Sequence, residues 1–503
     1  MRATVDREAP ENGVYFPPMS SAASQPLYLK IANNVEGMID AGTLRPGDRI
    51  PSVRNLSCQH KVSAPTVLQA YMILESRRLI EAKPRSGFYV RSRLADGLST
   101  PTLSRRTPHS KSLSKFPPLM SLVNDVTTPD FVRLGGANPS PELLPARKLA
   151  RIIGSVSRQY PLNSINYDPV PGCPRLRAEL SRRSMDWGCY LEPDQFVITT
   201  GATEGLHLAL AAVTKPGDTV MVESPTYYGL LSILSHLRLR AIAIPSCSRE
   251  GINLAAAHDA LTRKRISAIV VIPNFSNPNG SLMPETNRSK LLAMALKHRL
   301  PIIEDDIYGD LSHLEDRPRA LKALDEEGNV ILCGSFSKTL APGYRVGYLA
   351  PGRHRDKILE IKTALSFGSS PLSAMAIAEF LRNGGYDHHL RTLRRTFRGQ
   401  VLKMRDALAS ALPKEIKISN PSGGFVLWVE LPVTVDALLL FQQARERQIS
   451  IAPGQLFSPA AEFKNFIRIS CGYPWTPRIE EAVTVLGNLV QRHPRDKSMH
   501  TGR

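Results

Sequence analysis

From Phe131 onward, short apolar runs alternate with stretches of helical periodicity: Val197-Ile-Thr199, Val220-Met-Val222, Ala268-Ile-Val-Val-Ile272, Pro301-Ile-Ile303 and Val330-Ile-Leu332. Runs this short and this apolar predict strands buried on both faces, and strands of that kind pair in parallel with helices on either side. The expected fold class is α/β, a mostly parallel sheet covered by helices. The same expectation says where chemistry belongs, because ligands in such folds bind beyond the carboxyl ends of the strands. With 503 residues, 42% of them apolar, the chain has room for one large unit of this kind and an extra module.

Several classes are excluded at once. Met1 to Pro10 is mixed and charged, unlike a signal peptide, and no run of about 18 apolar residues predicts a membrane span. Cys58, Cys173, Cys189, Cys247, Cys333 and Cys471 are scattered without a C-x-x-C pair. That is the habit of reduced thiols in the cytoplasm, not of a disulfide framework or a zinc site.

The polar residues that follow the strand runs invite chemistry. Thr200-Gly-Ala-Thr-Glu-Gly205 opens a helix, where backbone N–H groups at Gly201, Ala202 and Thr203 suit a phosphate. In Ser224-Pro-Thr-Tyr227, the Tyr227 ring either packs as an ordinary core ring or lies over a flat ligand. Ser276-Asn277-Pro-Asn-Gly280 has turn composition, and an amide there can donate to a phenolate oxygen. Glu304-Asp-Asp-Ile-Tyr308 offers a carboxylate to hold a proton on a pyridine nitrogen, with Tyr308 on the phenolate side. Metal binding is the rival use of paired carboxylates, but no His or Cys lies at suitable spacing, so no metal is expected. Lys338, in Cys333-Gly-Ser-Phe-Ser-Lys-Thr-Leu-Ala-Pro-Gly-Tyr-Arg-Val-Gly-Tyr348, comes just after the last run. A buried ammonium is costly unless paired or modified. Its amine either condenses with an aldehyde as a Schiff base or is solvated like any loop lysine. Ser335, Ser337 and Arg345 stand near it in sequence as two hydroxyls and a guanidinium for a phosphate. Arg468, inside Phe466-Ile-Arg-Ile-Ser470, needs a partner, and a carboxylate clamped bidentately is one candidate.

The first hundred residues read differently. From Ala41 to Arg93 ten Lys/Arg face three Asp/Glu, and this concentration points to a polyanion partner. Tyr28, Ile31, Val35 and Met38 recur at helical spacing, and Leu44-Arg-Pro-Gly-Asp48 breaks the helix. Ser52 caps a second helix with Val53 and Leu56 inward; Ser63 caps a third, with Val67, Ala70, Tyr71 and Leu74 inward and Thr66 and Gln69 outward. Leu79-Ile-Glu-Ala82 and Phe88-Tyr-Val90 flank the basic tip Lys83-Pro-Arg-Ser-Gly87. Three helices and a basic hairpin predict a winged helix-turn-helix over residues 25–93, its third helix suited to a major groove. Residues 94–130, rich in Ser, Thr, Pro and basic side chains, predict a flexible linker, and 131–495 form the large domain.

Pro26-Leu-Tyr28, Gly42-x-Leu-x-Pro-Gly-Asp-Arg-Ile-Pro-Ser-Val-Arg54, Val62-Ser63, Thr66-Val67, Ala70-Tyr71 and Ser86-Gly87 resemble the GntR family of bacterial regulators. The resemblance implies that Arg49, Arg54, Ser63, Thr66 and the wing at Gly87 face double-stranded DNA. The S-x-S-K-x-x-x-P-G-x-R-x-G arrangement around Lys338, with the order of the other motifs, resembles fold-type I, class I aminotransferases, whose cofactor is pyridoxal 5'-phosphate. That likeness implies Lys338 for the Schiff base, Asp305 for the pyridine nitrogen, Asn277 and Tyr308 for the ring hydroxyl, and Tyr227 over the ring. It implies Ala202, Thr203, Ser335, Ser337 and Arg345 for the phosphate, and Arg468 and Gly136 on the substrate side. Tyr167, in Asn166-Tyr-Asp-Pro-Val-Pro-Gly172, matches the tyrosine that reaches a neighbouring subunit's phosphate, which implies a homodimer. Together the two halves resemble the MocR subfamily of GntR regulators. Expected partners are therefore an operator and an amino-compound effector or pyridoxal phosphate itself; a working aminotransferase carrying a DNA-binding module is the alternative.

Overall fold

The computed structural model describes residues 26–41, 43–44, 48–77, 79–83, 87–91, 98–103, 110–112, 120–122, 124–125, 128–383 and 385–492. The chain forms two compact units, Met1–Asp96 and Gly97–Arg503. In the first, α1 (Leu27–Asp40), α2 (Val53–His60) and α3 (Ala64–Ser76) precede the hairpin β1 (Ile80–Lys83) and β2 (Gly87–Val90). Ser52 caps α2 by accepting from Asn55 N–H, and Ser63 caps α3 by accepting from Thr66 N–H. Lys61, between them, takes the left-handed conformation at φ 53° and so turns the chain sharply. Val67, Ala70, Tyr71 and Leu74 are fully buried against Ile31, Val35 and Leu56. Tyr71 also donates its hydroxyl to Pro51 O at 2.6 Å, tying α3 to the start of α2. Residues 84–86 of the predicted basic tip lie outside the described residues.

The larger unit adds β3 (Ser110–Ser112), β4 (Val132–Arg133), β5 (Val197–Thr199), β6 (Thr219–Ser224), β7 (Arg240–Cys247), β8 (Gly251–Ile252) and β9 (Ala268–Val271). It continues with β10 (Ile302–Asp305), β11 (Val330–Ser335), β12 (Gly347–Ala350), β13 (Lys417–Ile418), β14 (Val426–Glu430), β15 (Ile449–Ser450), β16 (Ala452–Pro453) and β17 (Phe466–Ser470). The main sheet runs β3-β7-β6-β9-β10-β11-β12-β5, with β8 on β7. The central pairs β7-β6-β9-β10-β11 are all parallel, while β12 is antiparallel to both of its neighbours. Each apolar run singled out in the sequence contributes to one of these strands. Val220 and Val222 join one apolar cluster and Met221 another, so successive side chains fill the two layers on either face of the sheet.

A second, antiparallel sheet orders β13-β14-β17-β16, and β4 pairs in parallel with β15. The latter pairing carries the chain from β4 into Leu134–Asn138. Ser470 N–H donates to Leu134 O at 2.7 Å, which lays that segment along the end of β17.

The expected linker, residues 94–130, is not a free tether over its described part. Lys111 in β3 pairs with Ala241 of β7, Ile418 N–H donates to Ser99 O, and Thr102 N–H donates to Glu430 at 2.7 Å. Leu122 is buried in the large core, and Asp125 accepts from Arg445 at 2.7 Å. Polar composition misled here because β3 sits at a sheet edge, where one side of a strand needs no apolar cover.

Candidate functional site

Three consecutive acids stand at the end of β10, Glu304 and Asp305 in the strand and Asp306 just after it, and their partners tell them apart. Glu304 accepts from the N–H groups of Leu321 and Lys322 at 2.7 and 2.8 Å. Asp306 accepts from Asn274 at 2.8 Å and pairs with Arg317, which also reaches Asp310 at 2.7 Å. Both are satisfied by the scaffold. Asp305 is 3% exposed, yet its Oδ1 has no hydrogen-bond partner among the described residues. Burial, and then the negative charge of Asp306, push its pKa up to about 7.

A buried carboxylate left this way destabilises the fold once it ionises. Because its folded pKa lies above the unfolded value, its stabilising balance is intact below about pH 4 and is lost as pH rises toward 7. In protein free of bound ligand, Asp305→Asn is therefore expected to stabilise the fold at pH 8, by roughly 2–4 kcal/mol, and to change little at pH 4. Thermal melts at the two pH values check this; an equal shift at both would remove ionisation as the cause.

Other unpartnered groups gather at the same strand ends. The Tyr308 hydroxyl, just beyond β10, is buried without a partner, and its pKa is raised by burial. The hydroxyls of Ser224, at the end of β6, and Ser276, beyond β9, are likewise unpartnered. Buried polar atoms are rarely left unpaired, so this cluster is shaped for something polar that binds there. Tyr227 immediately precedes the helix Tyr228–His236 that follows β6, with its ring 5.0 Å from that of Tyr228.

Lys338, half-buried in the loop after β11, is close enough for its charge to act on Asp305. Its Nζ donates to Ala137 O at 2.6 Å and Asn138 Oδ1 at 3.2 Å. Burial and the positive charges of Arg468 and Arg345 lower its pKa to about 8, which leaves a larger share of free amine near neutrality. Arg468, fully buried in β17, donates to Asn277 Oδ1 at 3.1 Å and to Gly135 O. That contact assigns the oxygen of the Asn277 amide and leaves its NH2 as the donor end. Gly136 is buried between the two residues gripped by Arg468 and Lys338.

Three of the residues assigned from sequence to an anion, Ser335, Ser337 and Arg345, are brought together. Ser335 and Ser337 share a hydrogen bond at 2.8 Å, and Arg345 reaches Ser337 Oγ and Thr200 O, each at 3.4 Å. Gly201 starts the helix Gly201–Val213 at φ +77°, and a Cβ there would lie 2.5 Å from the Arg345 guanidinium. Only glycine lets the arginine close over the first N–H groups of the helix. Ala202 and Thr203 follow, partly or fully exposed. Tyr167 is 80% exposed and stands edge-on to Phe367, their ring centroids 5.2 Å apart.

Sequence inspection missed Glu223. Fully buried in β6, it accepts from Ile272 N–H at 2.8 Å and from Ser246 at 3.0 Å, while Asn279 donates to Ser246 at 3.3 Å. This chain of bonds anchors the turn that carries Asn277. The available signal was an acid directly following the apolar run Val220-Met-Val222.

In the smaller unit, Arg49 forms a bridge with Tyr89 of β2 and lies against Gly87, whose φ is +107°. Arg54 on α2 and Ser63 at the head of α3 are exposed, and Ser63 bonds Thr66 Oγ1 at 2.7 Å. Among the described residues, no helix is long and apolar enough to cross a membrane.

Residues 163–486 match the family aminotransferase class I and II, and residues 27–90 match the bacterial regulatory proteins of the gntR family. The chain is 36% identical to the HTH-type transcriptional regulator YjiR of Escherichia coli over 465 residues, covering 92% of this chain and 99% of the relative. A second regulator of that organism, YdcR, is 35% identical with the same coverage. Among solved structures, the α-aminoadipate aminotransferase LysN of Thermus thermophilus, complexed with N-(5'-phosphopyridoxyl)-L-leucine, is 30% identical. It superposes with a TM-score of 0.69, covering 74% of this chain and 94% of that one. The cofactor implied by this domain is pyridoxal phosphate, and the residues present fit it: an orphaned carboxylate, an orphaned phenol, an amine of depressed pKa and an anion pocket. Since both family matches fall in one chain, and full-length relatives share the arrangement, this protein belongs to the MocR subfamily of GntR-type transcription regulators.

Proposed function

We propose that the protein is a cytoplasmic, homodimeric regulator that binds an operator through its winged helix and senses an amino compound, or pyridoxal phosphate itself, in the larger unit. The observation that carries this is the double grip on one segment. Lys338 holds Ala137 and Asn138 while Arg468 holds Gly135. A ligand that engages either cation must take it from that segment, so liganded and unliganded states differ in the backbone contacts of residues 135–138. Differential contact of this kind is what a ligand needs to shift an equilibrium between two arrangements.

When bound, pyridoxal phosphate supplies an aldehyde that joins amines. Lys338 provides the amine that holds it, and Asp305 accepts the proton on its ring nitrogen. Asn277 and Tyr308 donate to its ring oxygen while Tyr227 covers one face. Ala202 and Thr203, with Ser335, Ser337 and Arg345, bind its phosphate. Arg468 clamps the carboxylate of an amino acid beside Gly136. Tyr167, exposed with Leu162 and Ile165, faces the second subunit. Turnover is the second reading: the Lys338 amine, held at Ala137 O by a 2.6 Å hydrogen bond and lowered in pKa by burial, is the group suited to moving protons.

On the DNA side, Arg49, Arg54, Ser63, Thr66 and the wing at Gly87 contact the duplex. Arg54→Ala is expected to weaken operator binding and to lower the salt dependence by about one unit of log–log slope, as loss of one phosphate contact requires. The visible spectrum of the bound cofactor should not change. Affinity measured across a salt series checks this, and equal slopes for both proteins would take Arg54 out of the interface.

A further inference from the structure

The third helix of the winged domain is apolar on two faces. Its inner face, Val67, Ala70, Tyr71 and Leu74, is fully buried. Its outer face presents Ala64, Pro65, Leu68, Gln69 and Met72, all exposed, with Leu68 at 45% and Met72 at 62%. These positions recur three or four apart, so they share one stripe of the helix surface. A single exposed leucine needs no explanation, but an aligned apolar stripe on a helix suited to docking marks a contact surface.

The charges around the stripe say what it meets. No Lys or Arg lies within Ala64–Ser76. The cations stand beside it instead: Arg54 on α2, Lys61 in the turn before α3, and Arg49 against the wing, all exposed. A polyanion is therefore held by the flanks while an uncharged surface faces its interior. At the head of α3, Ser63 and Thr66 bond to one another at 2.7 Å, and Ser63 also caps the helix. Toward the far end, Glu75 accepts from Ala82 N–H and Ser76 donates to Ile73 O. Gln69 is left as the polar side chain at the centre of the stripe. The span from Ala64 to Met72 rises about 12 Å, close to the width of a major groove.

Within that groove the thymine 5-methyl is the apolar feature of the base edges. Resting on the DNA-binding role of this unit, we propose that α3 selects its operator through apolar contacts of Pro65, Leu68 and Met72 with thymine methyl groups. Gln69 supplies the hydrogen-bonded base contact, for which adenine is the matching partner. The preferred half-site is thus rich in A·T pairs, and it is read in the major groove rather than by minor-groove shape.

The test uses the full-length protein with pyridoxal phosphate bound. Duplexes are selected from a randomised pool, and in the selected duplex each dT is replaced singly by dU, which removes only the methyl. At one or more positions in each half-site, affinity should fall about fourfold, the equivalent of one buried methyl. Leu68→Ala should erase the penalty at the thymine that Leu68 touches, and Leu68→Arg should enrich guanine there in a fresh selection. Both substitutions fall on an exposed position, so folding is not at stake. If the fully dU-substituted duplex binds as tightly as the dT duplex, the inference is overturned while DNA binding stands. If Leu68→Ala instead changes the oligomeric state with no change in dT preference, the stripe belongs to a second copy and the inference is equally overturned. Failure to enrich any duplex would overturn the DNA-binding role together with it.

Discussion

Lys338→Ala is expected to abolish the visible absorption band that pyridoxal phosphate shows when joined to a lysine, while far-UV circular dichroism stays native. The side chain is half-buried and bonded to Ala137 O and Asn138 Oδ1, so truncation frees two acceptors at the site and removes no core packing. Cofactor then remains only as a reversibly bound phosphate ester, held by the pocket of Ser335, Ser337 and Arg345, and dialysis should remove it. The two lysines fully buried among the described residues are engaged in the scaffold, Lys322 with Asp325 and Lys362 with Glu204. An unchanged visible spectrum in the variant would contradict the assignment of Lys338.

Arg468→Ala is expected to weaken the response to an amino-acid effector by about tenfold to a hundredfold, the usual worth of a charge-assisted contact. Of the groups proposed to hold the cofactor only Asn277 bonds to Arg468, while Lys338, Asp305 and the proposed phosphate ligands do not, so the visible band should persist in the variant. What changes is the end of the site where Gly135 O and Asn277 Oδ1 lose their donor. Titration of the cofactor spectrum with an amino-acid panel measures the effect. An identical shift in variant and wild type would take Arg468 out of the effector site, and no shift in either would favour a sensor of pyridoxal phosphate itself, which brings no carboxylate for Arg468.

Much of this was legible in the chain. The strands announced themselves because both faces are buried and nearly every residue is apolar, as in β9 with Ala268, Ile269, Val270 and Val271. The helices of the smaller unit were legible from period and caps, and Ser52 and Ser63 cap where expected. Most residues assigned to the site lie at or just after strand ends, although Arg468 lies within β17, but their distinctions did not show in the letters. Nothing in Glu304-Asp305-Asp306 says that the outer two acids are satisfied by Leu321, Lys322, Asn274 and Arg317 while the middle one is left open. Those partners lie far along the chain, and only the fold brings them in. Glu223 escaped notice for the same reason, since its partners Ser246 and Ile272 are 23 and 49 residues away. The supposed linker failed differently: β3 is short, polar and at an edge, so its strand pairing with β7 leaves no hydrophobic signature.

The double grip on residues 135–138 matters only if releasing it is felt at the DNA. Operator affinity of the cofactor-loaded, full-length protein, measured with and without each member of the amino-acid panel while keto-acid formation is followed, tests that directly. The expected result is a shift in affinity of about fivefold or more with at least one amino acid, the usual size of coupling between two sites. That shift should be absent in Lys338→Ala and should need about tenfold to a hundredfold more amino acid in Arg468→Ala. Steady keto-acid production with an operator affinity that no amino acid moves would contradict the account and leave an aminotransferase that carries a DNA-binding module.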